Sequence, residues 1–163
     1  MNNNCQFRVG NGFDVHCLVP NRKCIIGGVD IPYHLGLEGH SDADVAIHAL
    51  IDALLGASSL GDIGTLFPDT SSKWKDVDSR ILLRYVVGLL KNNGWEIVNA
   101  DITIIAQAPK MRPYVEEMKT RLSSDLGVEP TRVSVKATTT EHLGFTGRSE
   151  GIAAQATALI TAQ

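Results

Sequence analysis

The sequence predicts an α/β protein, an α+β sandwich in which helices cover one face of a mixed β-sheet. Three observations lead there. β-branched, glycine-broken segments open the chain, apolar stretches of helical period follow, and the elements run in the order β-β-α-α-β-α-β-β. With 163 residues and no internal repeat, low-complexity tract or boundary-like linker, the chain reads as one compact unit.

The elements can be taken in order. Phe7 to Val19 and Cys24 to Ile31 are interrupted by glycines and Pro20, as strands joined by a turn would be. Asp42 to Leu55 changes to helical spacing, with Ser41 as a capping candidate and a stop near Gly56. A loop carrying Gly61-Asp62-Ile63-Gly64 and Phe67-Pro68-Asp69 comes next. A second helix is expected from Asp78 to Asn93, with Gly94 as its left-handed terminal residue and Ile81, Leu82, Tyr85, Val86 and Leu89 on its apolar face. Trp95 to Gln107 has the β-branched content of a strand, and Pro113 opens a third helix ending near Gly127. Val133 to Thr138 reads as another strand, and Ile152 to Ile160 as strand or helix.

Composition narrows the function. The chain is 44% hydrophobic and 20% charged, so it can bury a core. Its 15 Lys+Arg against 18 Asp+Glu, a net charge of −3, form no basic block of the kind that binds nucleic acid or anionic membranes. Apolar runs fall short of the roughly 18 residues of a membrane span. The polar start Met1-Asn2-Asn3-Asn4 lacks a signal-peptide pattern, so a cytoplasmic protein is expected. Cys5, Cys17 and Cys24 make neither a disulfide framework nor a C-x-x-C knuckle.

Two constellations carry chemistry. Asp14-Val15-His16 places two metal-competent side chains at i and i+2 of a strand, on one face of the pleat. Alone, such a triplet more often marks a solvated strand face. The helix from Asp42 adds Asp44, His48 and Asp52 at i, i+4 and i+8 among Ala, Val, Ile and Leu, a single polar stripe expected to face a polar cavity. One carboxylate and two imidazoles suit Zn²⁺ better than Mg²⁺, and three ligands leave a tetrahedral position open, as in a catalytic zinc site. Asp52, one turn after His48, can orient its imidazole; the alternative is that the two satisfy each other in the core. His40 competes with His48 for the ligand role, and spacing does not choose between them.

The second constellation faces anions. Gln107-Ala108-Pro109-Lys110-Met111 precedes a helix start, where backbone N–H groups and the Lys110 ammonium can address a phosphate. Lys136-Ala137-Thr138-Thr139-Thr140-Glu141 ends a strand with three hydroxyls and a carboxylate able to hold a hard cation such as Mg²⁺. Each is as readily an ordinary surface lysine or a turn. Gly144-Phe145-Thr146-Gly147-Arg148 fits neither the Walker nor the dinucleotide pattern, and no G-x-S-x-G elbow is present. A zinc site with anion-binding loops suits phosphoryl chemistry.

These segments, with Ile26-Gly27-Gly28-Val29, Gly39-His40-Ser41-Asp42-Ala43-Asp44-Val45, Leu60-Gly61-Asp62-Ile63-Gly64 and Leu66-Phe67-Pro68-Asp69, resemble the 2-C-methyl-D-erythritol 2,4-cyclodiphosphate synthases of non-mevalonate isoprenoid biosynthesis, from about residue 7 to 160. The resemblance implies a single synthase domain over 7–163 and a homotrimer assembled through the sheets with active sites between subunits. It implies conversion of 4-diphosphocytidyl-2-C-methyl-D-erythritol 2-phosphate to the cyclodiphosphate and CMP. It gives zinc to Asp14, His16 and His48, and Mg²⁺ or Mn²⁺ to Glu141. His40, Thr139 and Glu141 take catalytic roles and Ser41 contacts substrate. Asp62, Gly64 and Asp69 position the methylerythritol part, and Ala106, Lys110, Met111, Thr138 and Thr139 bind the cytidine diphosphate. Phe145 and Arg148 match residues near a central cavity associated with isoprenoid diphosphates. Residues 1–6 have no motif counterpart and are expected to be a disordered extension, and Arg112 stands where the family often has an apolar residue. A zinc phosphohydrolase, and a non-enzymatic trimer with structural zinc, are the rival readings.

Overall fold

The computed structural model describes residues 6–163. The expected extension over 1–6 lies outside them except for Gln6, whose carbonyl accepts the Ala162 N–H at 3.0 Å. The strands are β1 (Phe7–Val19), β2 (Cys24–Ile26), β3 (Val29–Ile31), β4 (Gly36–Leu37), β5 (Trp95–Ile105), β6 (Val133–Thr138) and β7 (Gly151–Ala162). The helices are α1 (Val45–Ser58), α2 (Ile63–Leu66), α3 (Ser79–Asn92), α4 (Val115–Leu126) and α5 (Gly144–Gly147). Ile152 to Ile160, open between strand and helix, is strand.

Five strands form one sheet in the order β4-β1-β7-β5-β6, antiparallel except for the parallel β5/β6 pair, and β2 and β3 form a separate hairpin. The sheet is therefore mixed, and its helices lie on one face, as expected. Alternation in β1 sends Gly10, Gly12, Asp14 and His16 toward α1. A Cβ on Gly10 would come within 1.9 Å of the Ala53 carbonyl oxygen, and one on Gly12 equally close to that of Ala49. Only glycine lets strand and helix backbones approach this closely, and the small Ala154, Ala156 and Ala158 of β7 complete the seat. The opposite face of β1 is uncovered and leaves Phe7, Val9, Phe13 and Val15 exposed.

α1 is buried on nearly all sides, between the sheet and α3. It begins three residues later than the sequence suggests. Asp44, not Ser41, is the N-cap, because its carboxylate accepts the Ile47 N–H at 3.0 Å. The helix also runs through Gly56 to Ser58 and ends on left-handed Ser59. α3 matches its expected span, but its buried stripe is Leu82, Leu83, Val86, Val87 and Leu90. Ile81 and Tyr85 are about half exposed, since α3 must satisfy both α1 and α4 and its inward face is turned accordingly. Tyr85 packs edge-on against Phe67 instead, with ring centroids 5.6 Å apart.

Candidate active site

The second half of β1 and the first turn of α1 meet where the glycine seat holds them together. Asp14 Oδ2, His16 Nε2 and His48 Nδ1 form a triangle with sides of 2.8, 3.1 and 3.1 Å. These three residues are the metal-competent cluster among the described residues. Ligands on a tetrahedral ion with bonds of about 2.0–2.1 Å are roughly 3.3 Å apart, so the triangle has the size of one tetrahedral face. The structure thus brings together the strand pair and the helical histidine. His40 lies outside the cluster and lines the adjoining cavity of about 490 Å³ with Ser41, Gly64 and Asp69.

Neighbours fix the two imidazoles. His16 Nδ1 donates to the Glu38 carbonyl at 2.7 Å, which leaves Nε2 free to bind. His48 Nε2 is 2.9 Å from Ser79 Oγ and 3.2 Å from Ser41 Oγ. Asp52, expected to orient His48, instead accepts the Ile63 N–H at 2.8 Å and so anchors the start of α2. Serines, not Asp52, hold Nε2. Asp44 leaves the expected stripe as well. Fully buried, it receives N–H groups from Gly27 at 2.9 Å and Gly28 at 2.7 Å, pinning the β2–β3 turn where both glycines have positive φ. Burial, with Asp42 nearby, pushes its carboxyl up to about 6. Arg22 clamps the loop before α1, donating to the Leu37, Gly39 and Ser41 carbonyls.

The remaining expected residues fall in two further places. Asp62 caps α2 by accepting the Thr65 N–H at 2.8 Å, a bond that also lowers its pKa. At the far edge of the sheet, Ala106 N–H bonds the Thr138 carbonyl at 3.0 Å and Glu141 N–H bonds Thr139 Oγ1 at 3.3 Å. Lys110, Thr138, Thr139 and Glu141 are exposed, whereas Met111 is buried in the core. Phe145 on α5 is partly exposed, and Arg148 pairs with Glu150 at 2.8 Å.

A scan against protein-family models matches the YgbB family over residues 7–161. The chain belongs to the YgbB family. Its relatives include the 2-C-methyl-D-erythritol 2,4-cyclodiphosphate synthase of Thiobacillus denitrificans, 61% identical over 95% of this chain and 97% of the relative. Among solved structures, a Plasmodium falciparum protein named IspF, in complex with CDP, superposes with a TM-score of 0.85 at 33% identity over 96% of this chain and 97% of that one. The bifunctional IspDF of Campylobacter jejuni gives 0.94 at 42% identity; this chain covers 98% of itself and 43% of that longer protein.

In this YgbB-family chain the triangle also sets a pH dependence. Burial opposes charge on Asp14, but hydrogen bonds from His16 and His48 outweigh it and hold the carboxyl well below the usual range. Burial likewise opposes charge on His16, and the Asp14 partner outweighs it, raising His16 above its ordinary 6.5. In metal-stripped protein the stability from a raised His16 is complete below pH 6.5 and lost as pH climbs through the raised value. A metal ligand must be neutral, so metal uptake expels that proton and affinity changes in the opposite sense. The expected outcome is that metal affinity, measured by chelator competition, rises with pH above 6.5 while this pair's contribution to the metal-stripped melting temperature falls. The same two measurements on His16→Gln remove the contribution.

Proposed function

We propose that the chain is a cyclodiphosphate synthase, a phosphorus–oxygen lyase that converts 4-diphosphocytidyl-2-C-methyl-D-erythritol 2-phosphate to 2-C-methyl-D-erythritol 2,4-cyclodiphosphate and CMP. The observation that carries the reading is the Asp14–His16–His48 triangle opening onto the cavity lined by His40, Ser41, Gly64 and Asp69. A donor set of one carboxylate and two imidazoles favours Zn²⁺, with Glu141 the holder of Mg²⁺ or Mn²⁺. When bound, the two cations neutralise phosphate charge and polarise phosphoryl oxygens. An oxygen of the substrate's 2-phosphate forms a bond to the β-phosphorus. The bond from that phosphorus to the bridging oxygen breaks, and CMP leaves with the electron pair. Attack is intramolecular, so the residues orient the chain of phosphates and no protein nucleophile is required.

The sheet register supports a site shared between copies. Val15, Ala153, Ile105 and Thr138 pair in one row across β1, β7, β5 and β6. Three strand spacings separate the row's ends by roughly 14 Å. Asp14 and His16 point to the helical face, while Thr138 shares the uncovered face with Val15. One small ligand reaches both sets if a second copy brings its own Thr138–Glu141 segment to the cavity. The exposed apolar Val9, Phe13 and Val15 supply a surface for a homotrimer packed sheet to sheet. Leu143 and Phe145, also exposed, are candidates for lining a central cavity for an isoprenoid diphosphate.

Incubation with the diphosphocytidyl substrate, followed by ³¹P NMR with and without chelator, tests the reading. Cyclic diphosphate with CMP, lost on chelation, supports it; linear phosphate products would mark a zinc phosphohydrolase. Glu141→Gln is expected to bind zinc as the wild type does while CMP release falls about 10²-fold or more at limiting magnesium. Unchanged turnover there removes Glu141 from the mechanism.

A further inference from the structure

We propose that Ser79 and Asp42 are positioning residues that set the tautomer of His48 and so determine how tightly the site holds zinc. The inference rests on the reading of the triangle as a zinc site. Asp42 is a carboxylate and can only accept. Its Oδ1 takes the Asp44 N–H at 3.2 Å and the Ser79 hydroxyl, and its Oδ2 takes the Ser79 N–H at 3.0 Å. The Ser79 hydroxyl proton is therefore committed to Asp42. Its oxygen, 2.9 Å from His48 Nε2, must accept, so Nε2 carries the ring hydrogen. When a cation displaces the proton that Nδ1 shares with Asp14, the Nδ1 lone pair faces the corner 3.1 Å from both Asp14 Oδ2 and His16 Nε2.

The relay is built into the fold. Ser79 is the first residue of α3 and fully buried, so no solvent competes for its oxygen. Ser41 Oγ lies farther from Nε2, at 3.2 Å, and is itself engaged by the Ala43 N–H at 3.2 Å. His16 meets the same need through the Glu38 carbonyl, which substitution cannot remove. His48 depends on side chains, so its tautomer is the one that a mutation can release. A histidine whose distal N–H is held is a more basic and better oriented ligand, and loss of such a partner weakens metal binding about 10–100-fold.

Threonine and valine at position 79 separate the hydroxyl from its packing, because they are nearly isosteric. Zinc affinity is measured by competition with a chromophoric chelator, the ligand field by the visible spectrum of the Co²⁺-loaded protein, and folding by the melting temperature of the metal-stripped protein. Ser79→Ala and Ser79→Val are expected to lose about 10–100-fold in zinc affinity with an altered Co²⁺ spectrum, and Ser79→Thr to recover both relative to Ser79→Val. Equal affinity in Ser79→Ala and wild type, or in Ser79→Thr and Ser79→Val, overturns the proposal while leaving the zinc site intact. A wild-type protein that takes up no zinc instead overturns the reading beneath it.

Discussion

His48→Ala is expected to lose zinc and, with it, CMP release by on the order of 10²–10³-fold or more. The substitution removes one corner of the triangle and leaves Asp14 and His16 with two ligand atoms 2.8 Å apart, too few to hold the ion firmly. Because His48 is on α1 and Glu141 follows β6, the variant also probes the proposed sharing of the site between copies. Each subunit lacking His48 still carries an intact Thr138–Glu141 segment. Co-refolding His48→Ala with Glu141→Gln chains should therefore restore a fraction of wild-type turnover, since some sites combine the two wild-type halves. Zinc content by elemental analysis and CMP release by chromatography check both parts. A His48→Ala protein with full zinc and full turnover ends the assignment, and no recovery on mixing ends the shared site.

Gly12→Ala is the second large effect, and it acts through the backbone. The added methyl would lie 1.9 Å from the Ala49 carbonyl oxygen and 2.8 Å from the Ala53 nitrogen, neither of which is a flexible side chain that can swing aside. Strand β1 and helix α1 must part, at a cost of about 3 kcal/mol or more. They carry Asp14 and His16 on one side and His48 on the other, so the triangle opens as the elements separate. The expected outcome is a lower melting temperature together with weakened zinc binding even where the variant is fully folded. A variant that loses stability yet binds zinc as the wild type does would show that the seat supports the fold without setting the metal geometry.

Much of this site is legible along the chain because its residues sit in short, regular elements. Asp14 and His16 are two apart on a strand, so alternation alone puts them on one face, and His48 stands out as polar in an apolar helix. The same reasoning misassigns Asp44 and Asp52. Helical spacing aligns them with His48, but Asp44 is spent on its own helix start and the Gly27–Gly28 turn, and Asp52 on the start of α2. A carboxylate near unpaired backbone N–H groups satisfies those first, and apart from Ile47 the groups belong to segments 11 to 17 residues away. Ser79 carried no signal, for it looks like an ordinary residue after the Asp78 cap, and only the approach of α3 to α1 sets it against His48.

The sequence by itself determined the fold class, the long strands and helices, the Asp-x-His pair and the family resemblance, because period and motif spacing are local properties, whereas the split of Cys24 to Ile31 into the β2–β3 hairpin and the short β4, α2 and α5 were not expected. Tertiary structure decided which histidine completes the triangle, which residues orient it and which sheet face lies uncovered. Those outcomes depend on which backbones approach closely enough to touch, and here two glycines facing α1 and one buried serine at the start of α3 make that choice.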